Sequence, residues 1–137
     1  MIKLDLSRIK LKAVIAGALL DNATTLFIMT FLAAALVSTG VSEDEVMSRM
    51  KSANGLLLGL IIGLGCTALG GYVAGRMAKQ AEVLQGAVVA VIGMAIALVF
   101  RESGVPAWFD ILGFAAMIPA GMGGGHLARL RRRSGTT

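Results

Sequence analysis

Charge is scarce in this chain: Asp, Glu, Lys and Arg together make up 15% of 137 residues, where soluble globular domains carry about a quarter. So small a supply cannot coat a water-facing surface, and it excludes water as the main solvent. Cysteine is nearly absent as well. The single Cys66 lies inside an apolar segment, so no disulfide forms within the chain and the redox compartment stays undefined. One histidine and one cysteine build no metal-ligand motif, and no catalytic, nucleotide or cofactor motif is present either. Aromatic residues, at 5%, do not accompany the basic residues in any element that stacks bases. The net charge of +5 therefore does not describe a nucleic-acid binder.

What is present is apolar. Hydrophobic residues form 56% of the chain and its mean hydropathy is +0.80. Four long apolar runs stand out, at 13–38, 55–75, 83–100 and 107–127. A spanning helix needs roughly 20 such residues, so four spans and their short links use the whole chain and leave nothing for a soluble domain. The third run has 18 residues and no charge. At ~1.5 Å per residue it still crosses most of a ~30 Å hydrocarbon core. The expectation is one domain over 1–137, an all-α integral membrane four-helix bundle.

Orientation is read from Lys and Arg, which short cytoplasmic flanks retain. Lys3, Arg8, Lys10 and Lys12 precede the first run, Arg76 and Lys79 lie between the second and third, and Arg129, Arg131, Arg132 and Arg133 follow the fourth. The opposite side carries Arg49, Lys51 and Arg101 against Glu43, Asp44, Glu45, Glu102 and Asp110. This predicts both termini and the middle link on the cytoplasmic side. A cleaved signal peptide is the rival reading of the first run, on its basic start and the small residues Ala33, Ala34 and Ala35. Asp21 interrupts that run, the run is longer than a signal's, and removing it would spoil the charge alternation, so it is read as a span. The first twelve residues alternate apolar and charged groups and are read either as a headgroup-plane segment or as a frayed flank. Ser42 with Glu45 three residues on has the form of a capping box and predicts a short helix carrying Val46, Met47 and Met50. Gly104 and Pro106 mark a turn, and Pro119 inside the fourth run predicts a kink.

The plainest pattern is a stripe in the second run, Gly55, Gly59, Gly63, Thr67, Gly71 and Gly75. In lipid, close backbone approach through small residues is a leading source of helix association, so this face is expected to pack against another helix of this chain, of a second copy or of a partner. Shorter stripes appear as Ala116, Ala120, Gly124, Ala128 and as Ala13, Gly17, Asp21, Thr25. Span two ends in Gly70-Gly71-Tyr72-Val73-Ala74 and Arg76; span four ends in Gly124-Gly125-His126-Leu127-Ala128 and Arg129. This pair is either the trace of two duplicated helical hairpins or a recurrence of composition.

Asp21 is the sharpest single residue. Nine residues past Lys12, it lies about 13 Å into the core, where an ionised carboxylate costs at least ~2.5 kcal/mol. With Asn22 and Thr25 it is either a proton or cation site, or a packing residue held by hydrogen bonds. Arg129, Arg131, Arg132 and Arg133 are candidates for lipid headgroup contact beside their plainer role as a positive-inside signal. His126 and Asp110 read as interface residues.

The segment 69–98, LGGYVAGRMAKQAEVLQGAVVAVIGMAIAL, resembles a family of small uncharacterised four-span bacterial membrane proteins. Their second span ends in Gly-Gly-aromatic-aliphatic-Ala-Gly-Arg, here Gly70 to Arg76. That family's third span opens in His-Gly or a similar pair, and Gln85-Gly86 stands in that place. The resemblance implies a multi-pass protein of the bacterial inner membrane and adds no chemistry.

Two functions from different classes are carried forward. The first is a non-enzymatic membrane protein that assembles through its glycine stripe, with itself or as a small subunit of a membrane complex. The second is a small channel or proton/cation-coupled transporter centred on Asp21.

Overall fold

A computed structural model describes residues 8–101 and 103–134. Lys3 with the rest of 1–7, and Glu102, lie outside the described residues. The described chain is all helical: α1 (Leu11–Ser38), α2 (Glu43–Lys51), α3 (Ala53–Ala78), α4 (Glu82–Val99) and α5 (Ala107–Ser134). All but α2 are long and apolar enough to cross a membrane.

The helix ends follow local chemistry. The Ser42 side chain accepts from the Glu45 backbone N–H at 3.3 Å and starts α2. Glu45 itself turns to Arg49, 2.7 Å away, so only half of a capping box forms. Val46 is the buried residue of this short helix. Ser52 starts α3 in the same way, accepting from the Gly55 N–H at 3.3 Å. At its other end α3 stops at Lys79, in the left-handed region with φ 55°, and α4 opens immediately after Ala81, with φ 47°. α5 runs unbroken past Pro119 to Ser134, seven residues beyond the last apolar position of its run, because its arginines are good helix formers that reach into water.

Two left-handed residues without glycine in one three-residue link carry backbone strain, since Cβ crowds the carbonyl there. Ala81→Gly is expected to stabilise the bundle by ~1 kcal/mol, measured as a shift in the denaturation midpoint in detergent; an unchanged or lowered midpoint would show the link is relaxed.

α3 touches every other helix, α4 touches α1, α3 and α5, and α1 and α5 do not meet. The cross-section is therefore a rhombus with α3 and α4 on its short diagonal. Successive long helices alternate in direction, so the start of α1, the α3–α4 link and the end of α5 gather at one end. That end holds Arg8, Lys10, Lys12, Arg76, Lys79, Arg129, Arg131, Arg132 and Arg133; we call it the basic end, and the end bearing α2 the distal end.

The bundle is tight in one half only. Among the described residues, the buried positions of the long helices lie within Ala13 to Asp21, Cys66 to Ala78, Glu82 to Gly93 and Gly121 to Ala128, all but Gly93 on the basic side of the helix midpoints. Small residues explain why. In the α1–α3 hairpin, a Cβ on Gly70 would come within 2.6 Å of the Gly17 carbonyl oxygen. In the α4–α5 hairpin, a Cβ on Gly86 would overlap the Gly121 carbonyl oxygen, and one on Gly121 would overlap that of Gly86. Each hairpin is thus clasped through a glycine pair, and Gly71 against Gly121, with Gly124 against Ala68, ties the parallel helices α3 and α5 together. Without an apolar driving force between helices in lipid, this backbone proximity carries the packing.

Candidate functional site

The α3 stripe divides where the bundle opens. Gly71 and Gly75 are buried, the first against Gly121 and the second against Ala128, Glu82 and Gly125. Thr67 is buried against α1. Further out the contacts stop: a Cβ on Gly63 would meet nothing within 4 Å, and one on Gly59 would meet only the Met29 methyl at 3.6 Å. Gly55 is tight again, but against the backbone of Arg49 and Met50 at the end of α2. Beneath α2 an apolar groove of about 400 Å³ opens between α1 and α3, lined by Met29, Leu36, Met50, Leu58 and Gly59 among others.

Asp21 sits where the two halves join. It is 4% exposed and faces the bundle interior. The Thr67 hydroxyl, itself 1% exposed, donates to its carboxylate at 3.2 Å to Oδ2 and 3.4 Å to Oδ1. Gly93 of α4 leaves room for the acid, since a Cβ there would lie 3.3 Å from Oδ2. The acid therefore links α1, α3 and α4. Both contacts are long for an O–H···O bond, whose usual distance is about 2.7–2.8 Å, so two carboxylate oxygens share one weak donor. Asn22 is not part of this cluster: its amide donates back to the Ala18 carbonyl at 2.8 Å. Thr25, one turn further out, carries no side-chain hydrogen bond among the described residues.

A second polar cluster, not singled out in the sequence, lies at the basic end. Glu82 opens α4 and is only 5% exposed, held by Arg132 of α5 at 2.9 Å. Its buried Oε1 takes no aligned hydrogen bond, so the compensation is coulombic. The same Arg132 nitrogen donates to the Lys79 carbonyl. Gln85, one turn on and fully buried, donates through Nε2 to the Arg8 carbonyl at 3.0 Å. A cavity of about 280 Å³ lies among Gly75, Arg76, Lys79, Glu82, Ala128 and Arg132. Arg131 stands over the Tyr72 ring, 6.0 Å from its centroid, while Arg129 and Arg133 are exposed. The clue in the sequence was the spacing of Glu82 and Gln85, which puts two polar side chains on one face of an otherwise apolar helix.

Of the remaining candidates, His126 is exposed, and Asp110 pairs with Arg101 at 2.6 Å across the α4–α5 turn. Among the described residues no group of His, Cys, Asp and Glu comes together as a metal-ligand set.

The fold and its apolar helices define the chain as a four-helix bundle of membrane-spanning dimensions. Compared with known families, characterised proteins and solved structures, it matches none.

Proposed function

We propose that this is a non-enzymatic inner-membrane protein of bacterial type whose basic end and both termini face the cytoplasm. Its role is assembly, with further copies of itself or as a small subunit of a larger membrane complex. The observation that carries this reading is that the chain's own helices leave one position of the α3 stripe, Gly63, uncovered. Gly71 and Gly75 are used up inside the bundle, whereas the Gly63 position meets nothing within 4 Å although it belongs to the same register. Small residues repeated at that spacing, beside a groove that no helix of this chain fills, suit the close approach of another transmembrane helix. The basic end faces inward by the retention of Lys and Arg on the cytoplasmic side.

Gly63→Leu separates assembly from folding. A Cβ there meets nothing within 4 Å, so helical content and denaturation midpoint are expected to stay close to those of the wild type while the assembled species is lost. An unchanged assembly size in a folded Gly63→Leu protein would sink the proposal.

A specific observation favours a second reading, a proton- or cation-coupled transporter. Asp21 is buried with a single weak donor for two oxygens, which leaves it able to take up a proton or a cation. This reading requires Asp21→Asn to abolish a flux in reconstituted vesicles with the fold intact; equal flux in mutant and wild type disposes of it.

A further inference from the structure

The cavity at the basic end gathers charge from three helices. α3 supplies Arg76 and Lys79, α5 supplies Arg132, and α4 supplies Glu82. Glu82 and Arg132 neutralise each other at 2.9 Å, and the buried carboxylate fixes the guanidinium in place together with the Lys79 carbonyl. Neither Arg76 nor Lys79 is paired with a carboxylate among the described residues, and both are exposed, so the cavity carries a local excess of two positive charges. Its remaining wall is Gly75 and Ala128, small residues that leave space between the cations. That wall is rigid: a Cβ on Gly75 would already press on Ala128 at 3.0 Å and on Glu82 at 3.1 Å, and one on Gly125 would overlap the Glu82 carbonyl.

We infer that this cavity is a binding site for a phosphate group, with Arg76 and Lys79 as its direct cationic partners and Glu82 as the positioning residue that sets Arg132 at its edge. A planar guanidinium beside an ammonium, with a second guanidinium fixed at the edge, suits a tetrahedral oxyanion, which takes charge-assisted hydrogen bonds from several directions. The cavity lies at the end of three spanning helices, at headgroup level, so an anionic phospholipid presents the group at the right depth; a soluble phosphate or phosphoester offers the same chemistry from the aqueous side. The inference is independent of the assembly proposal, since it uses the basic end and not the distal stripe.

The test is lipid retention by the full chain in native mass spectrometry, after reconstitution in phosphatidylcholine with and without phosphatidylglycerol. Two double variants remove the same charge: Arg76→Gln with Lys79→Gln at the cavity, and Lys10→Gln with Lys12→Gln at the exposed start of α1. The wild type is expected to retain phosphatidylglycerol in preference to phosphatidylcholine. The cavity variant should lose roughly tenfold or more of that preference, on the scale of two interfacial charges, and the control variant clearly less, since its cations share no cavity. Equal loss in both variants means diffuse surface attraction and overturns the site, as does a wild type with no preference. Inorganic phosphate then separates the sources. Displacement of the retained lipid by phosphate, lost in the cavity variant, assigns the site to soluble phosphate groups as well; retention against phosphate assigns it to the lipid headgroup.

Discussion

Gly121→Leu is expected to destabilise the folded bundle more than any other single substitution considered. Gly121 is where three helices meet: its carbonyl oxygen lies where a Cβ on Gly71 or on Gly86 would go, and its own Cβ would overlap the Gly86 carbonyl and press on Ala90 at 2.9 Å. A leucine there cannot be absorbed by turning a flexible side chain, because what its Cβ meets first is the Gly86 backbone of α4. Overpacking of ordinary cores costs about 1–3 kcal/mol; with α4 pushed off α5 at the backbone contact that clasps the hairpin, the loss should be at least ~3 kcal/mol, a large share of the ~5–15 kcal/mol that holds a domain folded. Circular dichroism and size-exclusion in mild detergent check this. The informative comparison is Gly63→Leu, the same substitution in the same kind of small-residue position, which should leave folding untouched. Equal damage at both positions would mean that the open distal half is packed in the native protein.

The second large effect is expected at Thr67. Thr67→Val keeps the shape and removes the one hydroxyl that serves Asp21, leaving a buried carboxyl group 4% exposed without that donor. An unmet buried polar partner costs ~1–3 kcal/mol, more when it is charged, and the hydrocarbon surroundings offer no water to replace the bond. Asp21→Leu combined with Thr67→Val should recover much of the loss, since replacing both partners by apolar groups is close to neutral. Denaturation midpoints of the two single variants and the double variant form a thermodynamic cycle, with a coupling of about 1–2 kcal/mol expected. Additive effects would show that the two side chains share space without an energetic bond, and Asp21 would lose its reading as a packing lock.

How far these features were legible in the sequence depends on whether they are local. The four spans are, because an uncharged or nearly uncharged apolar run close to or above the thickness of the hydrocarbon core has few alternatives to a helix. Their ends are less so. The third span, α4, takes in Glu82, which an apolar criterion leaves outside, since burial of that acid depends on Arg132 fifty residues away. Likewise α5 continues through the arginines to Ser134, where hydropathy falls but helix propensity does not. The capping of α2 by Ser42 was readable; the turning of Glu45 to Arg49 instead of back to the cap was not, because two local partners compete for one carboxylate. Asp21 was visible as an acid out of place, yet its neighbours Asn22 and Thr25 in sequence are not its partners in space. Thr67 is, and Thr67 looked like one more small residue of the α3 stripe. The register of α1 against α3 is set by Gly17 on Gly70, and no periodicity within either helix encodes it. The stripe itself reads as one continuous packing face, but at four-residue spacing it winds around the helix, so Gly71 and Gly75 meet α5 while Gly63 looks into the open half.

The central claim, assembly through that open half, is tested most directly by native mass spectrometry of the gently solubilised wild-type protein. The account predicts a defined species larger than one chain, either a closed homo-oligomer or a fixed-ratio complex with another membrane protein. A wild-type protein that is monomeric throughout, in lipid-retaining detergent and at concentrations where it stays folded, would contradict it.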